Sequence, residues 1–169
     1  RHIMSELEFA TQLGHENGVF QDIEFTFPVD LHKRYDFEVR FEGCHFTNEV
    51  SLTQVHFNNK FALVNCYFDQ GFNASFAVFH RFAYIRDNVF RERAYFLKTC
   101  VLSNVNFFGS VFEGEAVFDH TCFAKETSFY RVQFLNNVYF HKSYMGIRAD
   151  FSYASFSHDH TVSFFSITN

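Results

Sequence analysis

The sequence has no Trp, a single Pro and only 7 Gly in 169 residues. A sandwich or barrel stitched together by many tight turns needs more of these turn formers, so both architectures are disfavoured. No apolar run approaches ~18 residues, which leaves no candidate membrane-spanning helix. No basic, apolar and small-residue cleavage signal opens the chain, so a cytoplasmic protein is expected. Arg1-His2-Ile3 ahead of Met4 reads as a vector-derived extension. The four cysteines form no CxxC pair, so no zinc site is expected. Phosphate-binding loops, nucleophile elbows and dinucleotide fingerprints are missing as well. Charge is low and lopsided: residues 1–50 carry ten acids and four bases (net −6), while residues 51–169 carry nine acids and ten bases (net +1), summing to −5. With no basic stripe, direct nucleic-acid binding is not expected. A 47% apolar content excludes disorder.

What the chain has is Phe, 28 of them, and they are periodic. Stepping alternately five and six residues from Phe41 reaches Phe46, Leu52, Phe57, Leu63 and Phe68, and continues to Phe151, Phe156, Val162 and Ile167. All 24 positions reached are apolar and 16 are Phe, whereas the other 103 residues of that span hold seven Phe. Two residues ahead of each large position runs a second register of mostly small or β-branched residues, such as Val39, Cys44, Val50, Val55 and Cys66. Residues two apart on an extended backbone share a face, so both registers point inward. A helix fails this pattern, because positions five apart differ by about 140° around its axis and make no single stripe. Phe, Val and Thr also favour strands. A solenoid remains, each turn burying its large residues on its neighbours.

Segments such as Phe112-Glu113-Gly114-Glu115-Ala116-Val117-Phe118 and Phe118-Asp119-His120-Thr121-Cys122-Phe123 resemble the pentapeptide-repeat family, in a Phe-rich form whose alternate repeats are one residue longer. The resemblance covers residues 39–167 and implies an all-β fold, a right-handed quadrilateral parallel β-helix with four repeats per coil. Phe61 and Phe72 depart from it, each large in a slot meant for a small residue, and Phe72 is followed by Ala74 in a compensating swap of sizes.

Four repeats total 22 residues, so residues 22 apart stack at the inter-strand spacing of ~4.8 Å. One column then reads Phe46, Phe68, Phe90, Phe112, Phe134, Phe156. The longer repeats are expected to hold their extra residue as a bulge, widening two opposite corners. About six coils fit residues 41–167, a shaft of ~28 Å. Residues 39–169 form this helix; residues 1–38 read as an irregular first coil and N-terminal cap, with a loop or short helical insertion at 28–37, where the frame slips by one residue.

Cys44 and Cys66 are one coil apart, as are Cys100 and Cys122, so each pair stacks with Cα atoms ~4.8 Å apart, within disulfide range. In a cytoplasmic protein they are expected as reduced thiols, the first pair inward and the second outward. The His residues scatter over outer columns except for His158-Asp159-His160, with His160 in an inward slot. No metal, cofactor or catalytic residue is assigned, and a convex shaft offers no cleft for catalysis. Aromatics outside the inward registers include Phe76, Phe82, Tyr84, Tyr95, Phe108, Tyr139 and Phe164. Of these, Phe76, Phe82, Tyr84, Tyr95 and Tyr139 are candidate anchors for a protein partner. Phe164, Phe165 and Ile167 are candidates for a homodimer contact through the last coil. The expected function is a non-catalytic interaction scaffold. The resemblance also implies an alternative, a DNA-mimicking inhibitor or protector of DNA gyrase, which requires a continuous acidic face.

Overall fold

The computed structural model describes residues 1–164. Over them the chain winds into a β-solenoid of about seven turns with four parallel sheets. In coil order, face one begins with Gly18–Gln21, Val39–Glu42, Phe61–Val64 and Ala83–Arg86. Face two carries Ile23–Phe25, His45–Phe46, Tyr67–Phe68 and their successors, face three Val29–Asp30, Val50–Ser51 and Phe72–Asn73, and face four Arg34–Tyr35, His56–Phe57 and Val78–Phe79. Partners are 22 residues apart through the middle of the shaft, as in Phe68↔Phe90, Ala83↔Val105 and Cys100↔Cys122.

The inward Phe form the core. Phe25, Phe46, Phe68, Phe90 and Phe112 stack at 4.8–4.9 Å between ring centroids, within 7° of parallel, and Phe134 and Phe156 continue the column at 5.3 and 5.1 Å. Phe61 and Phe72 keep the register, pairing with Val39 and Val50, and both are buried. The Phe72 ring fills the room left by Ala74, reaching Phe68 at 5.1 Å, Phe90 at 5.2 Å and Phe96 at 5.6 Å.

Small inward residues satisfy carbonyls that the corners turn into the core. Asn88, fully buried, donates from Nδ2 to the Leu63 carbonyl at 2.9 Å and accepts the Cys66 N–H on Oδ1 at 2.9 Å. Ser110 donates to Ile85 O at 2.6 Å, and Thr99 to Ala74 O at 2.8 Å. A buried carbonyl without such a partner costs about 1–3 kcal/mol, which accounts for polar residues in an otherwise apolar column.

The corners differ from the expected bulges. Left-handed backbone recurs after face one, at Gly43, Asn65, Asp87, Gly109, Arg131 and Tyr153, and after face three, at Gln54, Phe76, Lys98, His120 and Lys142. These opposite corners lie in the five-residue repeats. There only two residues separate one inward position from the next, and a positive φ makes the sharp turn. In the six-residue repeats three residues turn the corner with ordinary φ. The ladder runs through the strained corners and holds them: Phe76 N–H donates to Leu97 O at 2.9 Å, and Asp87 N–H to Phe108 O at 2.8 Å.

Two end segments correct the expectations. At the N-terminus, His2–Met4 pairs with Ile23–Phe25 on face two, and the helix is Glu6–Gly14, upstream of the segment where an insertion was expected. Ser5 caps it, accepting the Glu8 N–H, while the Glu8 carboxylate accepts the Ser5 N–H. Phe9 from this helix lies over the first layer, 4.9 Å from the Phe20 ring and 5.4 Å from Phe25. Residues 28–37 instead hold strands Val29–Asp30 and Arg34–Tyr35. The slipped frame is a deletion at their corner: Val29 pairs with Val50, 21 residues on, but Arg34 pairs with His56, 22 on.

Near the C-terminus, Val138 pairs with Val162, 24 residues on, so the intervening corner is two residues longer. His160 therefore lies exposed in a turn, not inward. Phe164 becomes an inward residue, stacked on Phe140 at 4.9 Å and 2°. Phe165 and Ile167 lie outside the described residues. No helix among the described residues is long and apolar enough to cross a membrane.

Candidate functional site

The surface is that of a prism, and its chemistry depends on which outward columns meet. The five candidate anchors fall in three places. Phe82 and Tyr84, on face one and the corner before it, are brought together, their rings stacked at 4.4 Å with the Arg86 guanidinium 5.7 Å above Tyr84. Tyr95 and Tyr139 share an outward column on face three but are separated by Val117. Tyr95 Oη accepts from Arg93 at 3.2 Å, and Arg93 in turn pairs with Glu115 at 3.3 Å. Phe76 stands alone on the opposite corner, 43% exposed, with Lys98 Nζ 5.5 Å above its ring.

The densest aromatic surface lies along the edge where face one turns into face two. Phe108 stacks on Tyr130 at 5.5 Å, Tyr130 meets Tyr153 edge-on at 5.5 Å, and Arg131 lies over both tyrosines at 5.5 and 5.8 Å. Arg86 precedes Phe108 in the same column by one coil, since the Asp87 N–H reaches the Phe108 carbonyl. The edge thus continues the Phe82–Tyr84–Arg86 cluster across successive coils. Tyr130, Arg131 and Tyr153 were not singled out from the sequence, although Phe108 and Tyr130 show the 22-residue spacing. Tyr153, 77% exposed, sits at a left-handed corner position, which turns its ring to the outside.

Two open hollows flank Phe82. One, of about 350 Å³, is lined by Glu38, Arg40, Lys60, Ala62 and Tyr84. The other, of about 310 Å³, is lined by Asn104, Asn106, Glu126, Arg148 and Asp150. Arg40 is held by Glu42 at 2.9 Å, and the Ser152 hydroxyl together with its N–H holds the Asp150 carboxyl below its ordinary range.

Elsewhere polar side chains stitch the coils. His45 sits between Glu24, at 3.3 Å, and Asp69, at 2.9 Å, linking three successive coils, and Arg91 pairs with Glu113 at 3.5 Å. Against the expected scatter of the histidines, His56 and His80 come together, 3.1 Å apart through Nδ1 and Nε2. No group of three or more His, Cys, Asp or Glu placed to hold a metal occurs among the described residues. The thiols divide as expected: Cys44 and Cys66 are buried and Cys100 and Cys122 partly exposed, all four free. Burial pushes the Cys66 thiol well up, and burial with the neighbouring Cys122 thiol pushes Cys100 up to about 12.

The geometry therefore offers a rigid, convex surface with one aromatic and arginine-rich edge. Set against protein-family models, curated proteins and solved structures, the chain matches none.

Proposed function

We propose that this chain is a non-catalytic interaction scaffold of the pentapeptide-repeat type, which binds a protein partner along the edge between faces one and two. One observation carries the reading: Phe108, Tyr130, Arg131 and Tyr153 form a continuous, partly exposed run of ring and guanidinium contacts. Aromatic and Arg side chains are the usual energetic anchors of protein interfaces. Here ring stacking and the overlying guanidinium restrain Phe108 and Tyr130, so less side-chain freedom is lost there on binding. The DNA-mimic alternative is weaker because bases interrupt the outward columns, as in the Arg91–Glu113 and Arg93–Glu115 pairs.

The test is affinity capture with the full chain and with Tyr130→Ser, Arg131→Glu and Phe76→Ser variants. Capture of a defined partner by wild type and by Phe76→Ser, but not by the two edge variants, supports the reading. Equal capture by all four proteins overturns it. A second copy is proposed as a further partner at the last described core layer, where Phe164 retains 42% exposure. Sedimentation that gives the same monomer for wild type and Phe164→Asp at high concentration would refute that contact.

A further inference from the structure

We propose that Cys100 and Cys122 on face four form a two-thiolate site for a soft monovalent cation, cuprous copper. The fold builds the site from strand register. Cys100 and Cys122 are direct partners in adjacent parallel strands, and Val101 and Phe123, which follow them, point into the core. Both thiols therefore point outward, one above the other, and both are reachable from solvent.

Spacing decides which chemistry suits the pair. One coil of rise is ~4.8 Å. A disulfide joins Cβ atoms ~3.5–4.5 Å apart across a sulfur–sulfur bond of ~2.05 Å. The ladder on both strands fixes this rise, since the Cys100 N–H donates to Ala77 O at 2.9 Å and the Cys122 N–H to Thr99 O at 2.8 Å. Thiolate–metal bonds are ~2.3 Å for four-coordinate zinc and somewhat shorter for a two-coordinate ion, so two set in line span a little under ~4.6 Å, close to the rise of one coil. The undistorted backbone thus fits a bridging ion, and at this Cα spacing it also fits a disulfide once an oxidant is supplied.

The donor set selects the ion. Thiolates favour soft metals, and zinc sites ordinarily complete four ligands. Here two sulfurs converge with no third His, Cys, Asp or Glu placed to join them among the described residues. Two-coordinate geometry is that of a monovalent d10 ion. On binding, each thiol gives up its proton to solvent, both sulfurs bond to one Cu⁺, and the complex carries a net −1 charge with no electron transferred.

The second cysteine pair is an internal control. Cys44 and Cys66 have the same one-coil spacing but are buried, with thiols donating to the Phe20 and Phe41 carbonyls at 3.5 and 3.3 Å. Serine suits their column, since Ser110 occupies it.

The experiment uses the full, reduced chain under anaerobic conditions, with cuprous ion supplied in competition with a chromophoric cuprous chelator. Wild type and Cys44→Ser are expected to withdraw about one copper per chain, and Cys100→Ser and Cys122→Ser to lose that binding while keeping the wild-type circular dichroism. The outward position tolerates serine, so loss of binding is separable from loss of fold. Failure of wild type to compete, or copper retention by Cys100→Ser, would overturn the proposal. So would loss of two hydrogens as a Cys100–Cys122 disulfide in place of metal uptake.

Discussion

Replacing Phe90 with Ala removes a ring from the middle of the longest aromatic column. Phe90 is 1% exposed, stacked on Phe68 and Phe112 at 4.8 Å each and edge-on to Phe72 at 5.2 Å. Deleting a buried Phe costs about 3–5 kcal/mol, depending on how far the surroundings collapse into the space. Collapse is restricted here. The Arg91 N–H is fixed to Phe68 O at 3.1 Å and the Glu113 N–H to Phe90 O at 2.8 Å, so neither neighbouring coil can close the gap without breaking its ladder. Three ring pairs, each worth ~0.5–1.5 kcal/mol beyond area burial, are also lost. The expected loss is therefore about 4–5 kcal/mol, at the top of the range. The partly exposed Phe156, in the last layer of the same column, should cost about 1–2 kcal/mol when truncated, because only part of its burial is lost. Guanidinium denaturation reads both, as midpoint shifts with the slope unchanged for Phe90→Ala. A Phe90→Ala loss below ~1 kcal/mol, or equal losses for the two variants, would refute the stacked-core reasoning.

Three further outcomes follow from buried polar groups and thiols. Asn88→Ala should destabilise by about 2–4 kcal/mol in the same assay, since it strands the Leu63 carbonyl and the Cys66 N–H together; a neutral effect would mean that water replaces the amide. Iodoacetamide with peptide mapping should modify the partly exposed Cys122 ahead of the buried Cys44 and Cys66, with Cys100 slower than Cys122 because its raised thiol supplies little thiolate, and equal labelling of all four in the native state would contradict the inside–outside assignment. Cys100 titrates near 12, above its ordinary 9.0, so the folded state favours its neutral thiol. The stability this gives is present below pH 9 and lost as pH rises towards 12. The stability difference between wild type and Cys100→Ser should narrow over that window, and a constant difference would remove this linkage.

The core was legible because its signal is redundant: Phe46, Phe68, Phe90, Phe112, Phe134 and Phe156 repeat one chemistry at one spacing. The ends were less legible for opposite reasons. The N-terminal helix announces itself through Ser5 and Glu8, a capping box, but stepping by five and six residues passes over a helical period. The longer corner before Val162 leaves no trace, because Val162, Phe164, Phe165 and Ile167 are all apolar and two registers fit them equally. The left-handed corner after face three escaped because Gln54, Phe76, Lys98, His120 and Lys142 carry no glycine or asparagine signature, unlike Gly43, Asn65 and Gly109 after face one; the ladder imposes their conformation. The aromatic edge was half legible. Phe82 and Tyr84 are close in sequence, but Arg131 meets Tyr130 and Tyr153 only because the corner turns them to one side.

The shaft advances one coil every 22 residues and displays its outer columns at fixed spacing. Pulsed electron–electron spin resonance tests it directly, with labels at positions 54 and 142 in a chain whose Cys100 and Cys122 are serine. Gln54 and Lys142 occupy the same corner, 88 residues and four coils apart, so their backbones should lie about 19 Å apart along the axis. Moving the second label to Lys98 should halve that separation to about 10 Å. A narrow distance distribution that scales with coil number is the predicted result; a broad distribution, or one indifferent to moving the label by two coils, would contradict the account.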